Sequence, residues 1–393
     1  MVFRYGILAA TAAIILLYGL LKPHHNWDMI AYVAASYSRD GYRGSDLTRE
    51  TYEEIRKEVR SKTFSQLTTG KYRETVFADP SSLEQQIPFF SIRVGYIELI
   101  RLLKNIGLSY VKSTYVISAI FASLSVLVLG LIILKTAVPI GMLPVVVAVA
   151  GYTELAALST PDAMACFFSL LGIYSLMTGG RLVFLVAAFL PLIRTDFIVL
   201  SGLLMGYTYL HGNRFLSLFS ILSSVSFYIL INKLHGNYGY LTLFNFTFVG
   251  SLTPYPADIV ISHKAGDYLI PYALLLENLI FHSHSVIYVL SAYLLWLKRD
   301  QIKADVNFYC LLGIPFVFNI THMLLFPTTH YRFLVFSISL ILVWSLVLLG
   351  KLHRHEKKAG LWGIPVMGRN NVSESVVMER SGSTDFKLDK TLP

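Results

Sequence analysis

Val94-Gly95-Tyr96-Ile97-Glu98-Leu99-Ile100-Arg101-Leu102-Leu103-Lys104-Asn105-Ile106-Gly107-Leu108 is the stretch on which the fold turns. It is apolar enough to suggest a membrane span. Yet Glu98, Arg101 and Lys104, with Arg93 just before them, recur at near-helical spacing and charge one face, which suits a helix lying in the interface and not one crossing the bilayer. If the stretch crossed, Asp28 before it and Asp162 after it would lie on opposite sides of the membrane. Read as interfacial, it leaves both acids facing one compartment.

Working outward, the whole chain of 393 residues is 54% hydrophobic and only 15% charged, with a mean hydropathy of +0.58. A soluble domain carries about a quarter charged residues, so a soluble enzyme is excluded. Apolar runs that could span recur at 5–21, 114–134, 137–153, 163–178, 181–193, 197–210, 215–232, 272–297, 306–326 and 333–350. Those of 163–178, 181–193 and 197–210 are short for a bilayer and need flanking residues or a thinned membrane. The net charge of +9 sits largely in short loops and ends, where it reads as a topology signal, and makes no case for nucleic acid. Cys166 and Cys310 both fall inside apolar runs and read as small buried hydrophobes. The first run is followed by Lys22-Pro23-His24-His25-Asn26-Trp27-Asp28, without a small-residue cleavage site, so it reads as a retained helix.

With Arg4 cytoplasmic, ten spans place Lys135, Arg181, Arg214, the run from Lys298 to Lys303 and the basic stretch Lys351 to Lys358 on the cytoplasmic side, as short loops usually require. Both termini are then cytoplasmic. The expected fold is an all-α polytopic membrane protein of about ten transmembrane helices, with a membrane domain over 1–350 and a helical first external loop. That loop, 22–113, runs to about ninety residues and needs structure of its own. Thr48 to Ser61 reads as a helix with an apolar stripe at Tyr52, Ile55 and Val59, while Pro80 and Pro88 should break the later part into short pieces. A second external loop, 233–271, is rich in Tyr, Phe, Asn and Pro. Within 351–393 the basic stretch gives way to Gly, Ser, Asn and balanced charge, the composition of a disordered tail.

Several short motifs could carry chemistry. Asp28, just beyond the first span beside Trp27, is either part of a helix cap or a general base at the membrane surface. His24 and His25 raise the question of a metal, although adjacent histidines point apart. Thr160-Pro161-Asp162, with Glu154 before it, could be ordinary helix punctuation. It could equally supply a second acid facing the same compartment as Asp28. Arg194-Thr195-Asp196 and His330-Tyr331-Arg332 put arginines on the external side, against the positive-inside tendency. They read as snorkelling or internal ion pairs, or as guanidinium forks for a phosphate. Arg93, after Pro88-Phe89-Phe90, is a further phosphate candidate.

The layout resembles the GT-C superfamily of integral-membrane glycosyltransferases, which includes the protein O-mannosyltransferases and the lipid A aminoarabinose transferases. The resemblance rests on Asn26-Trp27-Asp28 soon after the first helix, the long helical first loop, the stretch Pro88 to Leu103, Thr160-Pro161-Asp162-Ala163-Met164, and His330-Tyr331-Arg332-Phe333-Leu334 before the last span. It covers most of 1–350. It departs in having Ile87-Pro88-Phe89 where the family usually has Arg-Pro or Pro-Pro, and in lacking a separate C-terminal soluble domain. The resemblance implies transfer of a sugar from a polyprenyl-phosphate donor to a glycan, lipid or protein acceptor outside the cytoplasm. Asp28 would be the general base, Asp162 a second acid orienting the acceptor or a divalent metal ion, and Arg332 the clamp on the leaving phosphate. His330, Tyr331, Arg194, Arg93 and Glu154 would complete the substrate site. No cofactor is implied beyond that open question of a metal, and the expected partners are the lipid-linked donor, the acceptor and membrane lipids. Two rival functions remain open, a polysaccharide polymerase and a transporter or flippase of lipid-linked glycans. The flippase would favour charges near the bilayer midplane.

Overall fold

The computed structural model describes residues 2–250, 252–282, 284–299 and 306–352, and among these every regular element is a helix. The expectations for Asp300 to Lys303 and for the chain beyond 352 fall outside the described residues. The one β-type contact among them is an isolated bridge between His24 and Leu158. Among the described residues three helices are long and apolar enough to cross a membrane: α1 (Val2–Leu21), α8 (Tyr110–Leu134) and α14 (Arg214–Leu234). Shorter apolar helices fill in around them, including α11 (Asp162–Met177), α12 (Leu182–Ile193) and the helix Val335–Leu352.

The ten apolar runs do not all become straight rods. The run 137–153 ends α9 (Leu143–Ala150) at Gly151, whose φ of +86° lies in the left-handed region, and the chain restarts as the short α10 (Tyr152–Ala157). A left-handed residue cannot continue a right-handed helix, and glycine takes that conformation without a Cβ clash. The run 272–297 is divided between α16 (Ala265–Phe281) and α17 (Ser285–Leu297), which meet at a bend of 79°.

Residues 22–113 form the expected cap of small helices. In order they are α2 (Trp27–Arg39), α3 (Gly44–Glu58), α4 (Ser61–Thr68), α5 (Lys71–Ala78), α6 (Pro80–Ser91) and α7 (Val94–Asn105). The helix expected over Thr48 to Ser61 runs instead from Gly44 to Glu58 and buries Leu47, Tyr52 and Ile55; Val59 is buried too, but as the extended residue that ends the helix. Pro80 opens α6, where its missing N–H costs nothing. Pro88 corrects the expectation of a break, because it lies inside α6 and the helix continues to Ser91. The deciding stretch, α7, is a separate helix of 12 residues that buries Tyr96, Ile97 and Ile100. It packs against α2, α8 and α12. The second loop docks onto this cap: Ser82 Oγ and Gln86 Nε2 both donate to the Pro254 carbonyl, at 2.6 and 2.9 Å, and Tyr255 donates to Asp79 at 2.7 Å.

Gly19 sets how closely the first helix approaches the bundle. A Cβ there would meet Ala119 Cβ at 2.7 Å and the Ala156 carbonyl oxygen, also at 2.7 Å. This contact lets α1 lie against α8 and α10. The chain leaving α1 then pairs with the end of α10, where His24 N donates to the Ala157 carbonyl at 2.8 Å. The pairing holds the start of α2 beside the segment that leads into α11.

Candidate active site

Both acids singled out in the sequence sit in the first turn of a helix, Asp28 in α2 and Asp162 in α11. Free backbone N–H groups there favour a negative charge. Asn26 occupies the N-cap position of α2, so Asp28 is not the cap; its carboxylate instead accepts from Asn26 Nδ2 at 3.2 Å. Nor does Thr160 cap α11. Pro161 holds the N-cap position, and the Thr160 hydroxyl donates to Asp162 Oδ2 at 2.8 Å.

Arg332 joins the two acids. It lies in a 3-10 turn, Tyr331–Phe333, just before the last helix. Its Nη1 donates to Asp28 Oδ2 at 2.9 Å, and its Nε lies 3.6 Å from Asp162 Oδ2. Behind it, Arg194 at the C-terminus of α12 donates through Nη1 to Asp162 Oδ1. The same guanidinium grips Asp196 with both remaining nitrogens, Nε to Oδ1 at 3.1 Å and Nη2 to Oδ2 at 2.7 Å. His322 Nε2 completes the row, 3.1 Å from Asp196 Oδ2. Phe333 lies between the two cations, its ring 4.4 Å from the Arg194 guanidinium carbon and 4.9 Å from that of Arg332.

Carboxylate and guanidinium therefore alternate from Asp28 inward: Asp28, Arg332, Asp162, Arg194, Asp196. Exposure is lowest in the middle of the row, and Asp196 at its far end is again 29% exposed. The side chains of Asp28 and Arg332 retain 27% and 26% exposure, whereas Asp162 and Arg194 retain 2% and 8%. The space among Asp162, Arg332 and Phe333 holds no water-sized void. Asp28 and Arg332 are thus open to solvent at one end of the row and Asp196 at the other, with Asp162 and Arg194 buried between them. Burial opposes the charged forms of these groups, but their partners outweigh it. Arg332 is held above its ordinary pKa by Asp162 and Asp28, Arg194 by Asp196 and Asp162, and Asp196 well below its ordinary value by Arg194 and His322. Arg332, Arg194 and Asp196 are therefore charged throughout the physiological range.

The other candidates lie around this row. His330 is exposed beside Phe333; desolvation and the charge of Arg332 lower its pKa against the pull of Asp28 and Asp162, which keeps the ring neutral. Glu154 lies on α10 in the field of His24 and Arg332, with its pKa raised by desolvation against both. It is in no ion pair among the described residues. Arg93, at the start of α7, donates to the Phe89 carbonyl and has no carboxylate partner among the described residues, although its charge reaches Tyr32 as do those of Asp28, Asp162 and Arg194. The side chain of Tyr331 lies outside the described residues. His24 and His25 do not build a metal centre: among the described residues no group of three or more His, Cys, Asp or Glu side chains is arranged to hold a metal ion.

His322 went unnoticed in the sequence. Its signal was an imidazole inside the apolar run 306–326, where a polar side chain needs a partner. Tyr32 was also unremarked; it is buried against Phe90 and Tyr96 within reach of the same charges. Compared with known proteins, the chain matches no family model, no curated protein and no solved structure. The site therefore rests on its own geometry.

Proposed function

We propose that this chain is an integral-membrane glycosyltransferase of the GT-C type, which moves a sugar from a polyprenyl-phosphate donor to an acceptor hydroxyl on the extracytoplasmic face of the membrane. Both termini would be cytoplasmic, and the shorter apolar helices would complete a bundle of about ten spans beneath the cap. The observation that carries the reading is the pairing of a partly exposed carboxylate, Asp28, with a partly exposed guanidinium, Arg332, at 2.9 Å on top of a buried ionic row. One group can take a proton and the other can receive a phosphate, and both stand at one end of the apolar bundle.

In the reaction, the acceptor oxygen forms a bond to the anomeric carbon as the carbon–oxygen bond to the donor phosphate breaks. The acceptor proton passes to Asp28. The electron pair of the broken bond stays with the polyprenyl phosphate, and Arg332 binds that leaving group with its planar fork. Asp28 Oδ2 is engaged by Arg332 and Asn26, which leaves Oδ1 to accept the proton. Asp162 and Arg194 are positioning residues, since both are buried and directed at other charges. Charges gathered at one end of the bundle fit an interfacial enzyme better than a flippase, which would place them near the midplane.

The test is donor turnover by purified protein supplied with a panel of radiolabelled polyprenyl-phosphate sugars. A positioned base contributes roughly 10² to 10⁴ in rate, so Asp28→Asn should bind donor, fold like the parent and lose about that much transfer. Asn keeps the shape and the helix-start chemistry but is not basic. Near-normal transfer by Asp28→Asn would remove the assignment. Consumption of an oligosaccharide diphosphate in place of a polyprenyl-phosphate sugar would identify a polymerase.

A further inference from the structure

The space within the ionic row holds no water-sized void, but next to it the protein has an open cleft of 510 Å³ lined by His24, His25, Asn26, Trp27, Thr63, Gln66, Leu67, Thr69 and Arg73. Its volume lies within the roughly 300–1,000 Å³ of small-molecule sites. One wall is the four residues that lead into Asp28. The other is formed by α4 and the start of α5 in the cap. The two sites touch through Asn26, whose Nδ2 donates to Asp28 Oδ2.

The chemistry of the wall narrows the occupant. Leu67 and the body of the Trp27 indole are the apolar surfaces in it, so a polyprenyl tail would find little to bury against. No carboxylate lines the cleft, and the one permanent charge is Arg73, which already donates to the Gln66 carbonyl. The rest are hydroxyls, amides and imidazoles, a mixture of donors and acceptors suited to hydroxyl groups. Three other atoms of these wall residues, His25 Nδ1, Asn26 Oδ1 and Trp27 Nε1, are sealed from solvent with no hydrogen-bond partner among the described residues, so they face the protein and not the cleft. Burial, with the charge of His24, lowers the pKa of His25 against Glu58. With Nδ1 sealed, the neutral ring can offer the cleft only Nε2.

We infer that this cleft binds a saccharide, and that the saccharide is the acceptor whose hydroxyl reaches Asp28. The word acceptor rests on the transferase reading; the saccharide site rests on the cleft alone. Thr63 is half-buried on α4, so Thr63→Trp would fill the cleft from the surface of the cap without touching the ionic row. Gln66→Ala removes an amide from the exposed side of the same helix and is the milder variant.

The experiment is an array of immobilised neutral and acidic oligosaccharides probed with the purified full chain in detergent. The parent and Asp28→Asn should both be retained by at least one saccharide. Thr63→Trp should bind it about tenfold more weakly or worse, and Gln66→Ala should be weakened in the same direction, as expected for lost hydrogen bonds worth about 1.4 kcal/mol or more. Retention of the parent by no saccharide, or undiminished binding by both cleft variants, would overturn the inference. Saccharide retention that the cleft variants weaken, together with normal transfer by Asp28→Asn, would leave the cleft standing and remove the proposed base, so the two failures are distinguishable.

Discussion

Among the described residues, two networks of acidic and basic side chains, one in the cap and one in the candidate active site, are built from the same residue types at similar distances. In the cap, Arg39 pairs with Glu98 at 3.0 Å and Arg101 reaches Glu98 at 2.8 Å and Asp40 at 3.0 Å, with side chains 24% to 44% exposed. In the site, Arg194 holds Asp162 and Asp196 with its own side chain 8% exposed and that of Asp162 2% exposed. Water can replace either partner of a cap pair. It cannot replace Arg194. Distance alone therefore says little about what an ion pair does; access to solvent decides whether one partner can be removed without stranding the other.

The most severe test of this contrast is Arg194→Ala. It leaves the buried Asp162 and the partly buried Asp196 without their shared cation, and breaking a buried pair from one side costs about 3–5 kcal/mol. The expected outcome is a large loss of thermal stability in detergent, with transfer activity lost alongside it. A stability within about 1 kcal/mol of the parent would mean that water reaches the row and that the two networks are alike.

Arg332 stands between these extremes, paired yet reachable. Arg332→Lys keeps the charge and loses the fork, so the fold should persist while donor affinity falls by about tenfold or more, the equivalent of a charge-assisted hydrogen bond of roughly 1.5–3 kcal/mol. Titration of transfer rate against donor concentration separates this from a role in folding. Unchanged apparent donor affinity would leave Arg332 as an anchor for the last helix.

Gly19→Ala tests how the two acids are brought together. The added methyl would press on the Ala156 carbonyl and on Ala119. Overpacking of this kind typically costs about 1–3 kcal/mol. Thermal unfolding should show that loss, and transfer should fall further than stability does, because the His24–Ala157 pairing that positions α2 moves with α1. The mildest change is Arg101→Ala in the cap, expected to cost about 0.2–1 kcal/mol and to leave transfer intact. A loss comparable with that of Arg194→Ala would erase the distinction between the networks.

Sequence alone was enough to identify an all-helical chain rich in apolar helices, with a cap made from residues 22–113, because hydropathy and helical periodicity are local averages that survive without knowledge of the fold. It also marked Asp28, Asp162, Arg194 and Arg332 as residues worth following, since charges beside apolar runs are expensive and need a reason. The partners of those charges were decided by tertiary structure. Arg332 meets Asp28 across 304 positions of chain, His322 meets Asp196 across 126, and Arg194 meets Asp162 across 32. No spacing rule encodes such pairs. Arg194 read from sequence as a phosphate ligand or an ion pair, and in the fold its guanidinium is occupied by Asp162 and Asp196. The kink at Gly151 and the continuation of α6 through Pro88 were likewise set by packing, since a breaking residue only biases the backbone and the surrounding helices settle whether it bends. Local chemistry thus determined which residues carry charge and which segments are helical, and the packing of distant helices determined which charges are spent on each other and which remain open to a substrate.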